Sequence, residues 1–155
     1  MAHWIVHLRV AQGLYTRAGL RSRESFLLGN IAPDSGDPRP DGKGYEPDGS
    51  VTHFSTLGAH GEKLYHEERF VARYMTPDRR DGYDTRSFAF YLGYLTHLLT
   101  DKLWRGEISA AARERLSALR QADHTAYVRK VNFGLPMTET ISLMNLTTSI
   151  LVSCA

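Results

Sequence analysis

The sequence predicts an all-α fold, because apolar residues recur at helical spacing along much of the chain. The first helical segment, residues 4–18, carries one such stripe, made of Trp4, His7, Val10, Ala11 and Leu14. Residues 86–105 form the most apolar segment, as expected of a helix that is buried on most sides. The chain has 155 residues, 42% of them hydrophobic, which is enough for one domain with its own core. We therefore expect a compact bundle of several helices.

Shorter segments extend this prediction along the chain. Residues 23–29 predict a second, short helix that Pro33 stops. A helix is also predicted over residues 62–76, ended by Pro77. A mixed segment of charged residues and alanines, from residue 109 to about residue 130, predicts the last helix.

One long loop interrupts the helices at residues 33–50. Twelve of these eighteen residues are Pro, Gly or Asp, a composition that favours turns over burial. A loop of this length in a small domain is usually functional or disordered. Calcium is not expected there, because the alternating acidic ligands of an EF-hand loop are absent.

The last 25 residues differ from the rest in charge. All 19 Lys and Arg residues lie at or before Lys130, and the only charged side chain from Val131 to Ala155 is Glu139. Two interpretations are open: a buried terminal segment, or a non-native tail such as a frameshift would produce. We expect a helical domain over residues 1–130 and an atypical tail, non-native or disordered, over residues 131–155.

Composition excludes several classes of protein. The formal net charge of +2 does not indicate the basic field that nucleic acid would require. The single cysteine, Cys154, excludes a disulfide framework and a Cys-rich zinc site. No run of 18 apolar residues could span a membrane, and the N-terminus does not resemble a signal peptide. The expected location is therefore cytoplasmic.

Two polar residues in the apolar segment 86–105 are candidates for metal binding. His97 and Asp101 are four residues apart, so they project from one face of a helix. Burying a carboxylate costs free energy unless it is paired or bound to a metal. A simple hydrogen bond between the two side chains would also explain the pair.

Three more residues could complete such a site. His7 lies on the stripe of the first helix, Asp34 stands at the entrance of the long loop, and His53 follows that loop. With His97 and Asp101 they supply three imidazoles and two carboxylates. This set can satisfy one four-coordinate zinc, or two zinc ions that share a carboxylate.

Four short motifs, in order, resemble the bacterial zinc-dependent phospholipase C family, which is related to zinc-dependent single-strand nucleases. They span roughly residues 3–105 and read His-Leu-Arg-Val-Ala at residues 7–11, Gly-Asn-Ile-Ala-Pro-Asp at 29–34, Thr-His-Phe at 52–54 and Tyr-Leu-Thr-His-Leu-Leu-Thr-Asp at 94–101. The resemblance implies an all-α bundle that hydrolyses phosphodiesters with a cluster of up to three zinc ions.

The resemblance also implies a role for each candidate residue. Asp34, His53, His97 and Asp101 would hold one zinc ion, and Asp101 would bridge to a second ion that His7 also binds. Asp34 would act in addition as the general base.

The chain departs from the family in two places. Six residues precede His7, whereas the N-terminal amine and carbonyl of the secreted phospholipases are zinc ligands; His3 is an alternative to His7. The family's further zinc site uses a His-x-x-x-Glu pair, which does not occur after Asp101. His124 is the only later histidine, and Glu107 is a possible substitute. We therefore expect two zinc ions, not three.

Taken with these residues, the resemblance implies a metal-dependent hydrolase that cleaves a small phosphodiester or phospholipid-like substrate with a zinc-activated water. One alternative is a zinc-dependent nuclease, which the near-neutral charge disfavours. The other is a non-catalytic or inactive helical protein that binds metal.

Overall fold

Residues 4–108, together with residues 117, 121 and 122, are described by a computed structural model of the chain. Internal contacts divide the chain into two units, residues 3–100 and a second unit of residues 1–2 and 101–155. Helix dominates residues 4–108, and the predicted all-α class is confirmed. The elements are, in chain order, α1 (Trp4–Ala18), α2 (Arg23–Ile31), a 3₁₀ turn (Ala32–Asp34), β1 (Asp37–Pro38), β2 (Tyr45–Glu46), α3 (Gly49–Thr52), β3 (Ser55–Leu57), β4 (Lys63–Tyr65), α4 (Glu67–Tyr74), α5 (Pro77–Asp81), α6 (Thr85–Leu103) and a π-helical turn (Trp104–Ile108).

Helix α1 has the predicted bounds and packs on α2. Its buried stripe consists of His7, Val10, Ala11 and Leu14. Trp4 was expected on the same stripe, but it is 62% exposed. Trp4 is the first residue of the helix, and the buried part of the stripe begins one turn later. Helical spacing predicts which residues share a face, but not how far along that face the neighbouring helix reaches.

Helices α2 and α6 approach each other at two glycines. A β-carbon on Gly29 would overlap the backbone carbonyl of Phe90, and one on Gly93 would overlap the carbonyl of Phe26. Since any side chain at either position would separate the two backbones, glycine is required at both. This close approach places the end of α2 against the middle of α6.

The Pro-, Gly- and Asp-rich segment is mainly exposed loop, as predicted, but it contains short elements. Strands β1 and β2 pair in antiparallel fashion, with Asp37 opposite Glu46. Asp48 caps α3, because its carboxylate accepts a hydrogen bond from the backbone N–H of Ser50 at 2.8 Å. The loop therefore ends in a capped helical turn that leads directly to His53.

The helix predicted over residues 62–76 is wrong in its first part. Residues 63–65 form β4, which pairs in antiparallel fashion with β3, and only Glu67–Tyr74 is helical. The turn between the strands contains Gly61 at φ 76°, which favours the hairpin over a continuous helix. Pro77 does not follow the helix directly but begins α5, where its missing N–H has no cost.

An aromatic core packs α4 against α6. Phe70, Leu95 and Leu98 are buried at its centre. Phe70 stacks on Tyr94 with ring centroids 4.9 Å apart, and Phe54 meets Phe70 edge-on at 5.5 Å. Because Phe54 follows His53 directly, this core anchors the chain beside that histidine.

Two predictions fall on residues that the structure does not describe. The helix predicted from residue 109 to about 130 and the tail over residues 131–155 both lie outside the described ranges, so the proposed boundary at residue 130 stays a prediction. Among the described residues, no helix is long and apolar enough to cross a membrane.

Candidate metal centre

His97 is fully buried in α6 and is oriented by the backbone of α2. Its Nδ1 lies 2.8 Å from the carbonyl oxygen of Asn30. A carbonyl oxygen only accepts hydrogen bonds, so Nδ1 carries the hydrogen and donates it. In the neutral ring, Nε2 therefore carries the lone pair and is the nitrogen available to a cation.

His53 is oriented in the same way by a different element. It follows α3, and its Nδ1 lies 2.9 Å from the carbonyl oxygen of Gly49, one helical turn earlier. This ring also donates through Nδ1 and presents Nε2. The next residue, Phe54, has φ 48°, an uncommon value for a bulky side chain. The aromatic core holds Phe54 in this conformation, which turns the chain sharply after His53.

Three donor atoms converge from these elements. The two Nε2 atoms of His53 and His97 are 3.2 Å apart. Asp34 Oδ1 lies 3.1 Å from Nε2 of His53 and 3.9 Å from Nε2 of His97. Two lone pairs and a carboxylate at these distances repel one another unless a positive charge lies among them. A proton on one nitrogen would satisfy a single contact at a time, whereas one zinc ion satisfies all three donors.

Asp34 reaches this cluster from the 3₁₀ turn that extends α2. Its side chain is 27% exposed, whereas those of His53 and His97 are 3% and 0% exposed, so the cluster is accessible to solvent on the side of Asp34. Burial alone raises the pKa of the Asp34 carboxyl. When the neighbouring imidazoles are protonated, the hydrogen bond from His53 and their positive charges outweigh burial, so this pKa lies below its usual value. Asp34 is therefore ionised at neutral pH, the form that binds a metal.

A second group of donors overlaps the first. The His7 ring stacks on the His97 ring, with centroids 3.8 Å apart and planes 8° from parallel. Asp101 is fully buried and follows His97 by one turn of α6. His7, His97 and Asp101 each offer a ligand atom, and these atoms lie within 4.8 Å of one another; Asp34, His53 and His97 meet the same criterion.

Each of the five residues predicted from the sequence belongs to one of these two overlapping groups. The resemblance implies Asp101 as the shared ligand, whereas the two groups have His97 in common. Since Nδ1 of His97 donates to Asn30, this ring can bind only one ion.

The sequence alone did not identify the residues that orient the histidines. Asn30 and Gly49 act through their backbone carbonyls, which every residue type has, so residue identity carries no signal. Gly29 and Asn30 belong to a motif noted above, yet their positions reveal no role without the fold. The possible third site is not described: His124 lies outside the described residues, and Glu107 is exposed in the π-helical turn.

A helical domain in which buried histidines and aspartates converge in this way is typical of metal-dependent enzymes and metal-binding proteins. The sequence model of the family described as zinc dependent phospholipase C matches residues 2–147, nearly the whole chain. The chain therefore belongs to the zinc-dependent phospholipase C family, as its motifs predicted. Comparisons with curated proteins and with solved structures find no match.

Proposed function

We propose that this protein is a zinc-dependent hydrolase of phosphodiesters. In this proposal Asp34, His53, His97 and Asp101 bind one zinc ion, and Asp101 and His7 bind a second. The observation that carries the proposal is the pair of Nε2 atoms of His53 and His97, 3.2 Å apart, facing the Asp34 carboxylate. Two imidazoles that both donate through Nδ1 are arranged for a cation.

The donor set suits zinc, which accepts imidazole nitrogen and carboxylate oxygen in tetrahedral sites. Zinc at such a site polarises a phosphoryl oxygen and lowers the pKa of a water molecule that attacks phosphorus. His97 and His53 are held rigidly by backbone carbonyls, so little reorganisation is needed on metal binding. Asp34 is the most exposed of the three converging donors, which supports the proposal that substrate and water reach the site from its side.

Asp34 has two roles in this proposal. One carboxylate oxygen binds the metal and the other accepts the proton of the attacking water. The lowered pKa of Asp34 favours the first role and weakens the second, because a less basic carboxylate accepts a proton less readily. The two roles can be separated by mutation.

The first test is a metal count. Elemental analysis of the protein purified without added metal is expected to find about two zinc ions per chain, and fewer in His97→Ala, which removes a donor common to both groups. His60→Ala is the matched control, because His60 is an exposed residue of the β3–β4 turn. A wild-type protein without metal, or a His97→Ala variant with the wild-type count, would exclude the site.

The second test concerns Asp34. Asp34→Asn keeps the size of the side chain and one oxygen donor but removes the base. We expect hydrolysis of a chromogenic phosphodiester to fall by about 100-fold or more, the usual contribution of a general base. Zinc content, measured in the same preparation, is expected to fall less than in His97→Ala. Unchanged hydrolysis would remove Asp34 as the base.

The third test separates the substrate classes. Phosphatidylcholine vesicles, a chromogenic phosphodiester and single-stranded DNA are compared at equal enzyme concentration. We expect hydrolysis of the first two and weak action on DNA, because the chain has a formal net charge of only +2. Preferential cleavage of DNA would indicate a nuclease. Zinc binding without hydrolysis of any of the three would indicate a non-catalytic metal-binding protein.

A further inference from the structure

Asn30 has no place in the proposed ligand set, yet it is fully buried beside it. It contacts α6 at two points. Its side-chain Nδ2 donates to the carbonyl oxygen of Gly93 at 3.2 Å, and its own carbonyl oxygen accepts from Nδ1 of His97 at 2.8 Å. Gly93 and His97 are one turn apart on α6, so a single residue of α2 contacts two successive turns of that helix.

The side-chain contact determines where the backbone contact falls. An asparagine inside a helix has low intrinsic propensity, and a buried amide costs free energy unless it is hydrogen-bonded. The bond to Gly93 reduces the cost of burying the amide, and the Gly93 carbonyl is accessible because Gly29 and Gly93 let the two backbones approach. This bond holds the end of α2 in register with α6, and the register places the Asn30 carbonyl on the His97 ring.

The backbone contact in turn selects one tautomer of His97. Without a fixed acceptor, a neutral imidazole exchanges its hydrogen between the two nitrogens. A carbonyl on Nδ1 keeps the hydrogen there and the lone pair on Nε2, which faces Asp34 and His53. A lone pair on Nδ1 would instead face the Asn30 carbonyl and could not bind a metal ion.

We infer that Asn30 is a positioning residue, whose side-chain amide ties α2 to α6 so that its carbonyl fixes the tautomer of His97. The metal-binding consequence rests on the proposed function, whereas the tautomer does not. Replacing Asn30 by Asp keeps the shape but removes the Nδ2 donor and places a carboxylate against the Gly93 carbonyl. Replacing Asn30 by Ala removes the side-chain contact with the Gly93 carbonyl.

The test is nitrogen NMR of ¹⁵N-histidine-labelled, metal-free protein at a pH of about 8, where neutral imidazoles dominate. In the wild-type protein we expect His97 as a single tautomer with the hydrogen on Nδ1. In Asn30→Ala and Asn30→Asp we expect signals that average towards both tautomers, and zinc affinity lower by about 10- to 100-fold, the usual effect of losing a partner of a ligating histidine.

Thr96→Val is the matched control. Thr96 is fully buried on the same helix, but its hydroxyl donates to the Leu92 carbonyl of its own helix and, among the described residues, makes no hydrogen bond to α2. We expect the single His97 tautomer and the wild-type zinc affinity in this variant, even where its thermal stability falls. Loss of the tautomer in Thr96→Val would mean that general loosening, not Asn30, is responsible.

The wild-type spectrum alone can overturn the inference, so the test does not depend on the variants folding. A wild-type His97 with its hydrogen on Nε2, or an Asn30→Ala variant with the wild-type tautomer and zinc affinity, would refute it. If the wild-type protein shows the Nδ1 tautomer but does not bind zinc, the proposed function fails and the tautomer assignment stands.

Discussion

Backbone carbonyl oxygens orient several side chains at and near the site. His97 and His53 each donate through Nδ1 to a carbonyl oxygen, of Asn30 and Gly49 respectively. Tyr94 extends this pattern, because its hydroxyl donates to the carbonyl oxygen of Thr52 at 2.6 Å. Since Thr52 precedes His53, the phenol of α6 braces the same short segment that carries the histidine.

At the residue scale, Tyr94→Phe is expected to reduce the free energy of unfolding at neutral pH by about 1 kcal/mol, the usual net value of one hydrogen bond. Burial and the nearby Tyr74 raise the pKa of Tyr94 to about 12, above the unfolded value of 10.0. As pH rises, the Tyr94 hydroxyl therefore loses its proton in the unfolded state before it does so in the folded state. The free energy of unfolding of the wild-type protein, relative to that of Tyr94→Phe, consequently falls as pH rises from 10 to about 12.

Urea unfolding of the wild-type protein and of Tyr94→Phe, at pH about 8 and about 11, measures how the difference between their free energies of unfolding depends on pH. The other tyrosines ionise in both proteins, so their contributions cancel in this difference. Tyr45→Phe serves as the control, since Tyr45 is an exposed residue of β2 and its loss should change stability by less than about 0.5 kcal/mol. A difference between wild type and Tyr94→Phe that stays constant with pH would contradict the assigned pKa shift.

At the element scale, the contact of α2 with α6 decides whether the site can form. α2 contributes Asn30 and leads into the 3₁₀ turn with Asp34, while α6 contributes His97. The two helices meet where Gly29 and Gly93 leave room for backbone against backbone.

The corresponding prediction is that Gly93→Ala destabilises the protein, although alanine favours helix. Its methyl group would overlap the Phe26 carbonyl, a backbone atom that cannot rotate away, so overpacking is expected to cost about 1–3 kcal/mol. Gly106→Ala is the control, because a β-carbon there meets no atom within 4 Å among the described residues. Urea unfolding compares the two, and equal stability of both variants would argue against the close contact.

At the scale of the whole molecule, metal and fold are expected to be coupled. The Nε2 atoms of His53 and His97 and the Asp34 carboxylate lie within 3.9 Å of one another, and such donors are costly to keep together in the absence of a cation. A ligand that binds only the folded state stabilises it by mass action, by about 2.7 kcal/mol when its concentration is 100 times its dissociation constant. Metal removal should therefore be visible in global unfolding.

We expect a chelator to lower the melting temperature of the wild-type protein by about 5–10 °C, the shift that such a free energy produces in a chain of this size. Differential scanning calorimetry with and without chelator measures it, and added zinc should restore the original value. His97→Ala, which lacks a donor of both groups, is expected to respond much less. A wild-type melting temperature that the chelator leaves unchanged would speak against structural coupling.

Much of the architecture was predictable because local pattern and tertiary structure agree. Helix α1 follows its apolar stripe, and α6, Thr85–Leu103, lies within two residues of the predicted segment. The segment before α4 was not predictable, because its pairing with β3 is a contact between residues up to ten positions apart that no helical period encodes. The exposure of Trp4 was not predictable from the helical period either, because the exposed fraction of a side chain depends on which neighbouring element covers it.

The residue types and their order could be read from the sequence: three histidines and two aspartates at spacings that the family motifs share. His7, His97 and Asp101 lie on segments whose periods predict helix, and Asp34 and His53 flank the long loop. The convergence of Asp34, His53 and His97 follows from the tertiary structure. So does the orientation of the two histidines, whose Nδ1 atoms each face a backbone carbonyl oxygen. The physical reason is that ligand geometry and tautomer depend on backbone carbonyls and on the glycine contact of α2 with α6. Backbone atoms are common to all residues, so their positions exist only once the chain has folded.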